Sequence, residues 1–316
     1  MRLNQVYLAS LAAVLAAAAP ATPSYRDLGT DQAGTAPFAV IGDTQESMLW
    51  ETLVGRESNP AERQRLFAQL EAVRPAFLVI AGDLTSVGSS DRPWRYFDGL
   101  AAGLRGQGVP VLPVLGNHDY WGSNSAALRA FTARFAQFGR SHWYARRYGA
   151  LALVFLDANH DDLGDDAWQR QRQWFTRTLD DFDRDSTVRG VLVIDHQPPY
   201  TNGTTTHDDH HVQRDIVPAF VGARKTLALI SGHTHAYEHF AEQGKHFVVS
   251  GGGGGPRVKL RTGDQARHRD LFAGPSPRPF HFLWITPEAR GLQVEVRGFD
   301  KGEAEFRTID RFVLAW

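Results

Sequence analysis

The chain has 316 residues, 42% of them hydrophobic, which permits one large core or at most two modest ones. A formal charge of −1 excludes a whole-protein attraction to nucleic acid or to an anionic membrane surface, so any affinity for anions has to be local. With no cysteine, disulfides and thiolate metal sites are excluded, and hard oxygen donors and imidazoles remain.

Residues 1–21 carry Arg2, then an Ala/Leu/Val run too short to span a bilayer comfortably, then Ala19-Pro20-Ala21. That order is the pattern of an export signal cut near Ala21, with an uncleaved anchor as the other reading. The expected mature protein is soluble and exported, periplasmic or secreted, and no other stretch approaches the ~20 apolar residues of a spanning helix. Residues 22–36 read as a polar, irregular lead, and 37–316 as a single domain.

Strand-like apolar runs then alternate with helical periods. Residues 37–41 lead into Gly42-Asp43-Thr44-Gln45. Pro60–Val73 is predicted helical, with Leu66, Phe67 and Leu70 on one face and Pro60 in its first turn. Residues 77–81 lead into Gly82-Asp83-Leu84-Thr85, and 111–115 into Gly116-Asn117-His118-Asp119-Tyr120. A helix over 125–138, a strand over 151–157 and a helix over 165–179 follow. Residues 191–194 lead into Asp195-His196-Gln197-Pro198-Pro199-Tyr200, and 226–231 into Gly232-His233-Thr234-His235. Residues 247–250 add a strand. Beyond Phe280, FHFLWI, LQVEVRGF and FRTIDRFVLAW are strand-like, so an α/β body with a terminal antiparallel addition is predicted. No repeat of fixed period is present, and Gly251 to Gly255 is the one low-complexity tract.

Loops leaving the carboxyl ends of strands in such sheets gather at one edge, which brings the five motifs together. They supply eight oxygen and nitrogen donors, a set that suits two metal ions. Asp43 and Asp83 each follow a Gly at a strand end, where a small residue lets the backbone turn and present the next side chain inward. Singly, such aspartates also cap helices. In Asn117-His118-Asp119 the amide oxygen can coordinate a metal while the adjacent histidine stays free for proton transfer, although an ordinary Asx turn has the same composition. His233 and His235 on a bent loop can reach adjacent ions. His196 precedes two prolines that stiffen its loop, and alone it reads equally as a core histidine bonded to backbone.

In order, these motifs resemble the calcineurin-like metallophosphoesterase superfamily, and DHQPPY, GNHDY and GHTHAYE resemble its purple acid phosphatase branch. The resemblance covers Phe38 to about Pro256. It implies a four-layer α/β/β/α sandwich, two packed sheets flanked by helices, with a dinuclear site at the strand ends. Carried over by motif position, Asp43, Gln45 and His235 would bind the first ion, Asn117, His196 and His233 the second, and Asp83 would bridge both. His118 would be the uncoordinated histidine facing the scissile phosphate. The activity implied is phosphoester hydrolysis, as a phosphatase or phosphodiesterase, by a metal-activated hydroxide attacking in line. The cofactors implied are two divalent ions, drawn from Mn, Fe, Zn and Mg.

Two positions depart from the branch. Gln45 stands where histidine is usual, a harder and weaker donor that favours Mn²⁺ or Mg²⁺ over Zn²⁺. Ser86 stands where purple acid phosphatases place tyrosine and protein phosphatases a carboxylate, so the charge-transfer colour should be absent and His118 lacks that orienting partner.

Other features carry two readings each. Gly251 to Gly255 with Arg257 could cradle and clamp a phosphate, or simply form a strand exit. Tyr200, Tyr120 and Trp121 could stack on a substrate ring or pack beneath the loops. His207, Asp208, Asp209, His210 and His211 could line the cleft or bind a further ion, or form a solvated loop. Asn202 heads a glycosylation pattern. Two further functions stay open: a non-catalytic, metal-stabilised protein that binds a phosphate ligand, and a nuclease of the same superfamily. The near-zero charge and the lack of a basic run disfavour the nuclease, so no nucleic-acid partner is expected. The expected partner is a small or exposed phosphoester.

Overall fold

The computed structural model describes residues 21–139 and 141–316. Apart from Ala21, the expected export signal lies outside the described residues. Among the described residues no helix is long and apolar enough to cross a membrane.

Two mixed sheets form the centre. The first has the spatial order Arg307–Ala315, Gly291–Phe299, Phe280–Glu288, Phe38–Ile41, Leu78–Ile80, Val111–Pro113. Its last three strands are parallel, and Phe280–Glu288 joins them antiparallel through Phe38–Ile41. The terminal strands are thus the expected antiparallel addition, and they make up half of this sheet. The second sheet runs Asp31–Gln32, Tyr144–Tyr148, Leu151–Phe155, Gly190–Ile194, Thr226–Ser231, Lys245–Ser250, Tyr237–Glu242.

Strand periodicity sorts side chains of the second sheet onto two faces. Leu151, Leu153 and Phe155 enter the large core shared with the first sheet. Ala152, Val154 and Leu156 enter a smaller cluster with Trp168, Phe175 and Leu179 of helix Asp165–Arg184 and Phe220 of helix Val217–Gly222. On the far side, Leu66, Phe67 and Leu70 of helix Pro60–Val73 and Trp94 and Phe97 of helix Asp91–Leu100 cover the first sheet. The result is the expected α/β/β/α layering. Burial on both faces explains why these strands read as unbroken apolar runs instead of alternating ones.

Local boundaries follow packing. Helix Pro60–Val73 has the predicted limits and ends at Arg74 in a left-handed conformation, φ 51°. The helix expected over 125–138 is broken. Asn124–Arg134 stops at Phe135 (φ −122°) and a short turn Ala136–Phe138 follows, with Phe131, Phe135 and Phe138 all buried. The lead over 22–36 is not irregular throughout. Asp31–Gln32 pairs in parallel with Arg147 and Tyr148, and the Tyr25 ring stacks on Phe135 at 5.0 Å. An aromatic residue gives that polar segment something to bury.

Candidate metal centre

Five strand ends meet where the two sheets adjoin: three from the first sheet present Asp43, Asp83 and Asn117, and two from the second present His196 and His233. Five non-glycine residues among those described have positive φ, and three of them are here: Asp43 (61°), Asp83 (54°) and His233 (67°). Such backbone costs on the order of 1–3 kcal/mol per residue and persists where surrounding contacts over-determine it. Those contacts run between the loops. Asp43 N donates to Gly82 O, Gln45 N to Asp83 O, Gly232 N to His196 O, and His233 N to the Asp43 carboxylate at 3.0 Å. At Gly116 a Cβ would lie 2.2 Å from Asp83 Oδ1, so only glycine lets these loops approach.

The donors fall into two groups joined by one carboxylate. Gln45 Nε2 is 3.1 Å from Asp83 Oδ2 and 3.1 Å from His235 Nε2, which lies 3.3 Å from Asp43 Oδ1. Asn117 Oδ1 is 3.1 Å from His196 Nε2 and 3.0 Å from His233 Nδ1, and His196 Nε2 lies 3.5 Å from Asp83 Oδ1. All seven residues expected as ligands are therefore together, and Asp83 turns one oxygen to each group. Ligand-competent atoms of Asp43, Asp83 and His196 lie within 4.8 Å of one another.

The arrangement fits cations. Gln45 Oε1 is buried and has no hydrogen-bond partner. The amide's O and N are distinguished only by their surroundings. Turning it would direct Oε1 at Asp83 Oδ2 and His235 Nε2, an arrangement that an interposed cation would stabilise. His196 Nδ1 is 2.8 Å from Ala81 O, and His235 Nδ1 is 2.8 Å from Pro256 O. Each Nδ1–H donates to its carbonyl, which turns Nε2 toward the cluster, where a cation would take the place of its proton. Burial opposes ionisation of Asp83, but the imidazoles of His196 and His118 outweigh it and hold the carboxyl well below its usual range. Burial alone would lower His196, yet Asp83 and Asp43 push it up to about 10. Burial and the charge on His196 push His233 down to about 3. The pocket thus attracts positive charge: the carboxylates favour a proton on His196, and that charge keeps the neighbouring His233 neutral.

The sequence model of the calcineurin-like phosphoesterase family matches residues 36–237. The chain belongs to this family. It is 24% identical over 159 residues to purple acid phosphatase 22 of Arabidopsis thaliana, covering 50% of this chain and 34% of that one. The chain spans about a third of the length of the curated relatives it matches. Among solved structures, purple acid phosphatase PPD1 of yellow lupin superposes with TM-score 0.67 at 17% identity, covering 90% of this chain and 54% of that one. GAP50, described as the anchor in the inner membrane complex of Plasmodium, superposes with TM-score 0.67 at 17% identity, covering 89% and 88%. These likenesses establish the metallophosphatase fold.

Around this candidate metal centre, several contacts lie beyond sequence reading. His118 donates its main-chain N–H to Asp83 Oδ1 at 2.9 Å, and its Nδ1 is 3.0 Å from Ser86 O. A backbone carbonyl thus does the orienting that the missing side chain at position 86 seemed to leave undone. Trp121 lies against the His118 ring at 3.9 Å, tilted by 31°, and is partly exposed. Asp119 accepts from Leu84 N, Thr85 N and Gly116 N, tying the second motif to the third. Buried Glu238, the last residue of GHTHAYE, accepts from Thr201 Oγ1 and Asn202 N. Only the acidic letters of those motifs hinted at either role.

Other expected site residues are engaged elsewhere. Arg257, expected to clamp phosphate, is bidentate to Glu57 at 2.9 and 2.8 Å and lies over the Phe280 ring. Its guanidinium is already committed to a carboxylate. Tyr200, expected to contact substrate, sets its ring edge-on to Phe247 and His268 at 4.9 and 5.1 Å in the smaller core. The glycine run is no phosphate cradle. Gly253 N donates to Gly42 O and Gly255 N to Asp43 O, and a Cβ at Gly255 would lie 2.7 Å from the His235 ring. Asp208 accepts from Thr201 N and meets His268, while Asp209 caps helix His210–Asp215. His211 stacks on His160 at 3.7 Å, and with Asp161 these two offer ligand-competent atoms within 4.8 Å of one another, as the reading of a further ion expects. Asn202 is buried, its amide bonded to His268 O, which removes it as a glycosylation acceptor in the folded chain.

Proposed function

We propose that this chain is an exported, dinuclear metal-dependent phosphoester hydrolase, a phosphatase or phosphodiesterase. The observation that carries the proposal is the division of the Asp83 oxygens, Oδ2 to the Gln45 amide that meets His235 and Oδ1 to the His196 ring that meets Asn117. Asp43, Gln45, Asp83 and His235 would hold one ion, and Asp83, Asn117, His196 and His233 the other. Held by these residues, two divalent ions would supply Lewis acidity toward phosphate oxygens and a bound water.

The chain's own groups do the rest. Two carboxylates answer four positive charges, because the amides and histidines ligate as neutral donors, so a phosphoester anion is drawn in. His118, with Nδ1 on the Ser86 carbonyl, keeps Nε2 free to hold a proton for the departing alcohol oxygen. The Trp121 ring limits its swing.

The test is phosphate release from aryl and alkyl phosphoesters by metal-loaded protein, in the parent and in Asp83→Ala. Metal-dependent turnover lost in Asp83→Ala supports the proposal, and equal turnover in both rejects it. A second reading, a non-catalytic metal-stabilised binder of phosphate ligands, draws support from the Gln45 amide in place of imidazole and from the likeness to GAP50, described as an anchor. Two bound ions with no turnover across the panel would select it.

A further inference from the structure

Resting on the phosphoesterase reading above, we propose that the substrate's alcohol carries an extended apolar chain that lies along the segment Leu49 to Val54. Seven large apolar side chains are exposed among the described residues. Five of them, Leu49, Trp50, Leu53, Val54 and Trp121, belong to the segments that follow Gln45 and His118, and only Leu271 and Val313 lie elsewhere. Leu49 and Leu53 are 77% and 78% exposed, one helical turn apart on Leu49–Leu53. Clustered exposure of this kind marks a surface kept for binding, since scattered apolar residues would need no account.

A groove lies between Leu49 of that surface and the loops that carry Gln45 and hold His118. It has a volume of about 400 Å³, within the range of small-molecule sites, and Glu46, Met48, Leu49, Ser86, Val87 and Arg92 are among its walls. Two of its walls adjoin the site: Glu46 follows Gln45 in the chain, and the Ser86 carbonyl holds His118. Its outer end is Leu49. Arg92 and Glu46 neutralise each other at 2.8 Å, so the groove offers no free charge for an ionic alcohol. The helix is fastened from below by buried Glu51, which accepts from Met48 N and Arg56, so its apolar side chains are not held outward by a loose segment. An ester whose phosphate sits at the cations and whose alcohol leaves past His118 has this groove as its exit. An alkyl or acyl chain is the occupant that also covers Leu49 and Leu53.

The experiment uses the full chain loaded with Mn²⁺ and a series of n-alkyl phosphates, methyl to octyl, below their aggregation concentrations. Phosphate release gives kcat/KM, and tryptophan fluorescence gives Kd for the matching n-alkylphosphonates. The expected result is a rise in kcat/KM and a fall in Kd with chain length, up to about fourfold per buried methylene. In Leu49→Ser/Leu53→Ser both slopes flatten, while the metal content and thermal unfolding midpoint stay at parent values. Turnover independent of chain length overturns this inference and leaves the phosphoesterase reading standing. A slope that persists in the double variant also overturns it. No turnover of any ester overturns both. A flat series, with vesicle binding or concentration-dependent dimerisation that the double variant abolishes, reassigns the patch to a lipid surface or a second copy and overturns it as well.

Discussion

Nδ1 of His118 donates to the main-chain carbonyl of Ser86 across 3.0 Å, so the orientation of the candidate proton carrier comes from backbone and not from the side chain at position 86. Ser86→Ala keeps the carbonyl. It is expected to lower kcat far less than His118→Ala, which should reduce it by about 10²–10⁴. Steady-state kinetics on one aryl phosphate compares them directly.

The shared carboxylate predicts a shared loss. Asp83→Ala should reduce bound Mn²⁺ from two ions per chain to one or none, read by elemental analysis after gel filtration. Asn117→Ala should weaken one ion selectively, because its Oδ1 faces only His196 and His233. Gln45→His should raise affinity for Zn²⁺ at the other position, imidazole being the softer donor. Calorimetric titration separates the two.

Arg257 is expected to act on stability and not on substrate affinity. Its hydrogen bonds lower the pKa of Glu57 against the opposing effect of burial. Such a depressed carboxyl stabilises the fold above the unfolded value of 4.5 and loses that contribution as pH falls. Arg257→Ala should therefore cost about 1–2 kcal/mol at pH 7, with KM unchanged, and the difference should shrink below pH 4.5. Urea unfolding at several pH values measures it.

The pair His239 and His246 predicts acid sensitivity of the sheet edge. His239 Nε2 is 2.8 Å from His246 Nδ1, both rings lie against Phe312, and burial with the neighbouring imidazole pushes His239 down to about 4. The folded state then binds fewer protons than the unfolded one, so stability is intact above pH 6.5 and is lost as pH falls toward 4. Thermal unfolding followed by circular dichroism should show this slope, and His246→Phe should reduce it.

Much of the fold was legible because it is written locally. The apolar runs before Gly42, Gly82, Gly116, Asp195 and Gly232 read as strands, and all five form. What misled was the character of whole segments. The lead over 22–36 looked irregular because one tyrosine among polar residues has no period, and although the terminal strands read correctly as antiparallel, nothing in them names Phe38–Ile41 as their partner.

The same division runs through the site. The sequence by itself determined which donors exist and at which strand end each stands, because a small residue followed by a polar one after an apolar run is a property of neighbours in the chain. Only the tertiary structure decided which of them face one another. Asp83 divides its oxygens between two donor groups, and Arg257 is taken by Glu57, 200 residues away. Hydrogen bonds and ion pairs act over a few ångströms, and only packing brings such distant residues that close.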